Sequence, residues 1–185
     1  MEILIDDIAE EGLELEASEK DPWFKGAVQE ALGEAFDEAD HAKVLISLDR
    51  IDGNVNIDGT IEIVSHPVCD RCLVQYEVCA TIPFHTVLAP LYENKRQQEL
   101  EGEAEAELIK EDLEFGFYEG DRFDVSEVIR EQIVLAEPMK HLCKEDCKGL
   151  CPRCGKNLNK GPCTCSEEHQ GTSFVALKDV RIEKH

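Results

Sequence analysis

The chain has 185 residues and a hydrophobic content of 42%, enough for one medium domain with a packed core, with or without a small appended module. Its formal net charge is −22, from 19 basic and 41 acidic residues. Such a field repels phosphate backbones, whose sequence-independent capture rests on Lys and Arg, and favours basic partners. No apolar run approaches the ~18 residues that a membrane-spanning helix needs, and the opening MEILIDDIAEEGLELE lacks the basic start of a signal peptide. A cytoplasmic protein without membrane attachment is therefore expected.

In chain order, MEILIDDI and GLELEAS alternate apolar and polar residues and read as two short strands. In DPWFKGAVQEALGEAF, Asp21 is placed to cap a helix with Pro22 at its first position. Phe24, Val28, Ala31, Leu32 and Phe36 recur at helical spacing and form its apolar face. Trp23 reads as a packing residue at its edge. HAKVLISLDRIDGNVNIDGTIEIVSHPVC is rich in β-branched residues, and its two Asp-Gly pairs read as hairpin turns. Strand character resumes in LVQYEVCATIPFHTVLAPLY, so 43–92 reads as an antiparallel meander in which Cys79 is a core residue. Residues 91–111, rich in Glu and poor in apolar side chains, read as a mobile acidic loop. A strand, a turn around Glu119-Gly120-Asp121 and a second helix follow. Asp124 with Glu127 fits a capping box, and Val125, Val128, Ile129, Ile133 and Ala136 form the buried face. Pro138 ends this helix.

Six of the nine cysteines come next, spaced Cys143-x3-Cys147-x3-Cys151-x2-Cys154-x8-Cys163-x-Cys165. Thiols in a reducing compartment are kept reduced, so the cluster points to metal binding rather than to disulfides. CPRCG at 151–155 is the most specific element. In a metal knuckle, two sulfurs two residues apart meet one ion while the backbone turns back on them, and Gly155 permits the positive φ this needs. The segment is rich in turn residues and has few large apolar side chains, so it cannot order itself by burial. Structural zinc would supply on the order of 10 kcal/mol. One zinc ion per chain is expected, on four of the six sulfurs: Cys151 and Cys154, completed from Cys143, Cys147, Cys163 and Cys165. A redox CxxC would open a helix after a strand, and no base is positioned for a nucleophilic thiol. His141 and His169 flank the segment as further donors to weigh. Cys69 and Cys72 in HPVCDRCLVQYE form a second thiol pair without the following Gly. It reads equally as a tight turn with partly buried thiols, as a share of the C-terminal site, or as a second metal site.

Charge is unevenly divided. Residues 1–140 carry 11 basic and 35 acidic side chains, a net of −24, whereas 141–185 carry 8 and 6, a net of +2. Arg71, Lys148, Arg153 and Lys156 are the candidate contacts to RNA or to a partner.

CDRCL at 69–73, DVSEVIREQIVLAEPMK at 124–140 and LCKEDCKGLCPRCGKNLNKGPCTC at 142–165 together resemble the YceD-like family of large ribosomal RNA subunit accumulation proteins. The resemblance is strong over 120–165 and at 69–73, and diffuse over the first strands. The closing SFVALKDVRIEKH keeps Phe174, Ala176 and Leu177 but otherwise departs from the family's arginine-containing tail. The resemblance implies a bacterial, cytoplasmic, non-catalytic factor that supports accumulation of 23S ribosomal RNA. Its implied partner is a basic large-subunit ribosomal protein or a pre-ribosomal RNA intermediate, and it implies no small-molecule substrate.

The expectation is an α+β fold: a mainly antiparallel sheet from 2–18, 43–92 and 112–118, two packed helices near 22–37 and 124–137, and a C-terminal cysteine-rich metal module. The acidic body would occupy 1–140 and the zinc module and tail 141–185. Two other readings compete. One is a thiol- or metal-dependent enzyme, although no HExxH, GxSxG, P-loop or dinucleotide fingerprint is present. The other is a zinc-stabilised adaptor for a basic protein outside ribosome assembly.

Overall fold

The computed structural model describes residues 1–33, 36–37, 39–91 and 115–165. The expected acidic loop at 91–111 and the closing tail with His169, Phe174, Ala176 and Leu177 lie, apart from Leu91, outside the described residues. The architecture is α+β. Strands β1 (Glu2–Leu4) and β2 (Leu13–Ser18) precede helix α1 (Pro22–Leu32), and β3 (His41–Ile51), β4 (Asn54–Ser65) and β5 (Val78–Pro90) follow it. Then come β6 (Phe115–Tyr118), β7 (Arg122–Asp124) and helix α2 (Val125–Ala136).

Strands β2 to β6 form one five-stranded sheet in chain order, antiparallel until β6, which lies parallel to β5. A parallel neighbour needs a connection of a dozen or more residues, and the chain between Pro90 and Phe115 is long enough. The first expected strand does not join this sheet: β1 pairs with β7, Ile3 opposite Phe123, in a separate two-stranded ribbon.

Period-two alternation decides which sheet face is buried. In register, Leu13–Leu48–Ile57 and Ala17–Val44–Ile61–Ile82 cross the sheet on its inner face. The helices lie over this face, packed on each other, with Phe24, Val28, Ile129 and Ile133 turned inward at 1% exposure or less. Trp23 meets Phe24 edge-on at 5.8 Å between centroids, as a packing residue should. Cys79 departs from expectation. It pairs with Val64 on the outer face and is exposed, because it sits out of phase with the inward Ala80 and Ile82. Ala136, expected on the buried face of α2, is likewise exposed at the helix end.

The two Asp-Gly pairs differ in use. Asp52 and Gly53 both take positive φ, 51° and 85°, and make the tight turn between β3 and β4. Asp58-Gly59 lies inside β4, not in a turn. The Phe84 ring occupies the place of a Gly59 side chain, 2.5 Å from where a Cβ would stand. Glycine is there for close approach. Asp124 caps α2 by accepting from the Ser126 N–H at 2.8 Å. Asp21 does not cap α1 with its side chain, which turns back to accept from the Ser18 N–H at 2.9 Å.

Between β4 and β5 the meander opens into an excursion over 66–77. His66 ties its start to the loop before β3: its Nδ1 lies 2.7 Å from Oδ1 of Asp40, a carboxylate only 3% exposed, and its Nε2 lies 3.7 Å from Glu77. The hydrogen bond to Asp40 raises the imidazole pKa above its ordinary 6.5, and burial opposes it less strongly. A raised folded-state value gives stability that is fully present below 6.5 and lost as pH rises through the raised value. The stability difference between wild type and His66→Gln, measured by urea unfolding, should therefore be larger at pH 5.5 than at pH 8.5. An equal difference at both would show that the ion pair does not contribute.

Candidate metal centres

The excursion over 66–77 and the segment 142–165 contain two knuckles with the same hydrogen-bond plan. In the first, Cys69 N–H donates to the Val74 carbonyl at 3.0 Å and Leu73 N–H donates back to the Cys69 carbonyl at 2.9 Å. In the second, Cys151 N–H donates to Lys156 at 2.8 Å and Gly155 N–H to the Cys151 carbonyl at 2.9 Å. The residue after the second cysteine takes positive φ in both, 56° at Leu73 and 70° at Gly155. A left-handed Leu costs roughly 1–2 kcal/mol. The missing glycine is why the sequence left Cys69 and Cys72 open between a tight turn and a metal site.

The eight cysteines of these two regions fall into two sets. Cys69, Cys72, Cys143 and Cys147 form one, and Cys151, Cys154, Cys163 and Cys165 the other, with all sulfurs of a set within 4.8 Å of one another. Cys143 and Cys147 therefore do not compete for the cage of Cys151 and Cys154. They complete the Cys69–Cys72 pair, and the expectation of a single cage drawn from six sulfurs gives way to two sets. A tetrahedron with metal–sulfur arms of about 2.3 Å has edges of about 3.8 Å. The sulfurs stand 3.8 Å apart for Cys69–Cys147, 3.6 Å for Cys72–Cys143 and 3.4 Å for Cys151–Cys163. Four soft donors at this spacing fit a tetrahedral ion.

The acidities fit a cation as well. Burial pushes the Cys69 thiol up, but backbone N–H groups of Cys143, Cys72 and Arg71 outweigh it and bring it down to about 6. Cys151 is drawn down to about 6, chiefly by the N–H groups of Cys154 and Arg153. Cys147 is lowered first by the Asn159 amide. Burial and then its sulfur neighbours push Cys143 up to about 12, and Cys154 and burial do the same to Cys165. Each set thus favours ionisation at some sulfurs, Cys69 and Cys147 in the first and Cys151 in the second, and opposes it at another, a conflict that a bound cation would relieve.

The first set has its own small core, in which Cys69, Cys72 and Cys147 are at most 4% exposed and Tyr76, Leu142 and Leu150 pack around them. Reciprocal links hold the two halves together. Asp70 N–H donates to the His141 carbonyl at 2.8 Å, and His141 N–H donates to Oδ2 of Asp70 at 2.7 Å. Arg71 is not splayed outward. Its guanidinium donates to the carbonyls of Cys147 at 3.0 Å and Glu145 at 3.4 Å, while its own carbonyl accepts from Leu150 N–H at 3.0 Å. The His141 ring meets Glu137 at 2.8 Å, not a sulfur. Cys79 joins neither set.

Lys148, Arg153 and Lys156 are all exposed. Lys148 N–H donates to Asn159 Oδ1 at 2.9 Å, and Lys156 Nζ donates to the Pro162 carbonyl at 2.8 Å. The side chain that sequence reasoning missed is Asn159, whose Nδ2 stands 3.2 Å from Cys147 Sγ.

Gly149 is buried at φ 70°, where a Cβ would stand 2.9 Å from the Arg71 carbonyl oxygen. That carbonyl is held by Leu150 and cannot yield cheaply. Gly149→Ala should cost about 2 kcal/mol or more of metal-loaded stability, from left-handed strain plus the clash. Thermal unfolding with metal content assayed in parallel checks this, and a variant as stable as wild type would show that the loop relaxes freely.

Among the described residues no helix is long and apolar enough to cross a membrane. Comparison with known proteins identifies the family. The chain matches the family model described as "Large ribosomal RNA subunit accumulation protein YceD" over residues 57–181. Large ribosomal RNA subunit accumulation protein YCED homolog 1, chloroplastic, of Arabidopsis thaliana is 36% identical over 58 residues, covering 31% of this chain and 18% of the relative. The protein of the same description from Zea mays is 44% identical over 52 residues, covering 27% of this chain and 18% of the relative. The chain thus spans under a fifth of the length of these curated relatives. No solved structure matches it. The family match begins in β4 and takes in both cysteine sets, covering well over half of the chain, and on that ground the chain belongs to the YceD family of large ribosomal RNA subunit accumulation proteins.

Proposed function

We propose that this protein is a non-catalytic factor for large-subunit ribosome biogenesis in the bacterial cytoplasm, supporting accumulation of 23S ribosomal RNA, and that it holds a structural zinc ion in each cysteine set. The observation that carries the reading is the closure of eight of the nine cysteines into two all-sulfur sets within a chain of this family. All-cysteine zinc sites are structural and closed, whereas catalytic ones keep a position for water or substrate.

In this reading the acidic part of the chain, 1–140 with its net of −24, receives a basic large-subunit ribosomal protein. The segment 141–185 turns Lys148, Arg153 and Lys156 toward a pre-ribosomal RNA intermediate. Arg71, committed to the carbonyls of Cys147 and Glu145, acts by holding the module together.

The test is deletion of the gene in its host, with the ratio of 23S to 16S RNA and the level of large-subunit precursors as readouts. The expected result is a lowered ratio restored by the wild-type gene and not by Cys69→Ser with Cys72→Ser. An unchanged ratio in the deletion strain would overturn the reading. A pulldown with and without ribonuclease then separates a protein partner from an RNA one.

A further inference from the structure

We infer that the two cysteine sets form a coupled pair of metal sites, and that Asn159, carried in the loop of the second set, is the positioning residue that completes the first. The inference rests on the metal reading above. Its evidence is a single side chain that faces two ways. Asn159 belongs to the short 3-10 turn Leu158–Lys160, between Cys154 and Cys163. Its Oδ1 accepts from Lys148 N–H at 2.9 Å and its Nδ2 donates to Cys147 Sγ at 3.2 Å, whereas Cys147 belongs to the other set. Turning the amide over would set its oxygen against the sulfur and its NH2 against the Lys148 N–H, so both contacts select one orientation.

The turn that carries Asn159 is three residues long and lies between the cysteines of the second set. The Asn157 side chain accepts from Asn159 N–H at 2.9 Å, and Gly161 ends the turn just before Cys163 and Cys165. Leu158 N–H reaches the Gly149 carbonyl at 2.9 Å, and Leu150 forms an isolated bridge with Asn157. Closing Cys151, Cys154, Cys163 and Cys165 on one ion would fix both ends of this loop. It would also present the amide to Cys147, which is 3% exposed and has little access to water as a substitute donor. Four thiolates on a divalent ion leave a formal −2, and an N–H aimed at one sulfur draws charge off it and holds its direction. Ordering at one site therefore lowers the cost of ordering at the other, and such coupling acts in both directions.

The experiment uses the full chain loaded with cadmium-113, followed by NMR and by competition with a chelator. Wild type should show two resonances, and Cys69→Ser with Cys72→Ser identifies the first-set signal by its loss. Asn159→Ala should keep two ions, shift the first-set resonance alone, and yield that ion to chelator about 10-fold more readily, the low end for loss of a ligand's supporting hydrogen bond. Asn159→Asp preserves size and the acceptor for Lys148 N–H but sets a carboxylate against the sulfur, so it should lose at least as much. Cys151→Ser with Cys154→Ser should weaken the ion that remains in the first set. Two ions in wild type with both Asn159 variants unchanged in shift and chelator affinity would overturn this inference alone. Fewer than two cadmium ions in wild type would overturn the metal reading and the inference with it.

Discussion

Protein purified without chelator is expected to carry two zinc ions per chain by elemental analysis and native mass spectrometry. Replacing Cys69 and Cys72 with Ser should remove one, and replacing Cys151 and Cys154 should remove the other. The effect should be large, because apparent binding energies for structural zinc run to about 10–16 kcal/mol, as much as the whole stability of a typical domain. Stripping both ions should abolish amide protection in 66–77 and 142–165 and leave β3, β4 and β5 protected. The strands belong to the main core of the sheet and helices, whereas the cysteine regions have only the small cluster around Cys69, Cys72 and Cys147. A single zinc in wild type, retained in one of the two double variants, would show that one set is only a group of packed thiols. Tetrahedral sulfur also suits iron, so a colourless protein with zinc by mass is part of the expected result.

The second large effect concerns RNA. Between Cys143 and Cys165 there are five Lys or Arg against two acidic residues, in a chain whose first 140 residues carry a net of −24. If this segment meets RNA, changing Lys148, Arg153 and Lys156 together to Gln should remove three phosphate contacts. The plot of log affinity against log salt should flatten by about two units for single-stranded RNA, where each contact contributes roughly 0.7. Metal content should stay at the wild-type value, since none of the three side chains is a ligand. The comparison belongs on the full chain. Cutting at residue 140 would strip Cys69 and Cys72 of Cys143 and Cys147 and so unmake the first set. Unchanged affinity and slope in the triple variant would leave the cysteine module as a structural clip, with any RNA role indirect.

Much of the fold was legible because it is local. The apolar spacing of 24–32 and 125–136 marks both helices, the alternation in 41–65 marks two strands, and Asp52-Gly53 marks the turn between them. The misreadings share one cause. Asp58-Gly59 has the letters of a turn, but it lies within a strand because Phe84, on the neighbouring strand, needs the space. Cys79 has the hydrophobicity of a core residue, but its phase in β5 puts it on the open face. The pairing of β1 with β7 joins segments more than a hundred residues apart, and no short-range pattern reports it.

The cysteine sites divide along the same line. By itself the sequence marked Cys151 and Cys154, because CPRCG closes within a few residues. It left their two partners open among Cys143, Cys147, Cys163 and Cys165, and the fold brings Cys163 and Cys165 to them. Only the tertiary structure decided the first set. Cys69 meets Cys147 and Cys72 meets Cys143 across 78 and 71 residues, brought together by the Asp70–His141 exchange and the Arg71 clasp. A knuckle's geometry is set by bonds within six residues and is written in the local sequence. Its partner is chosen by where the rest of the chain places a second pair of sulfurs, and that choice follows from packing over the whole molecule.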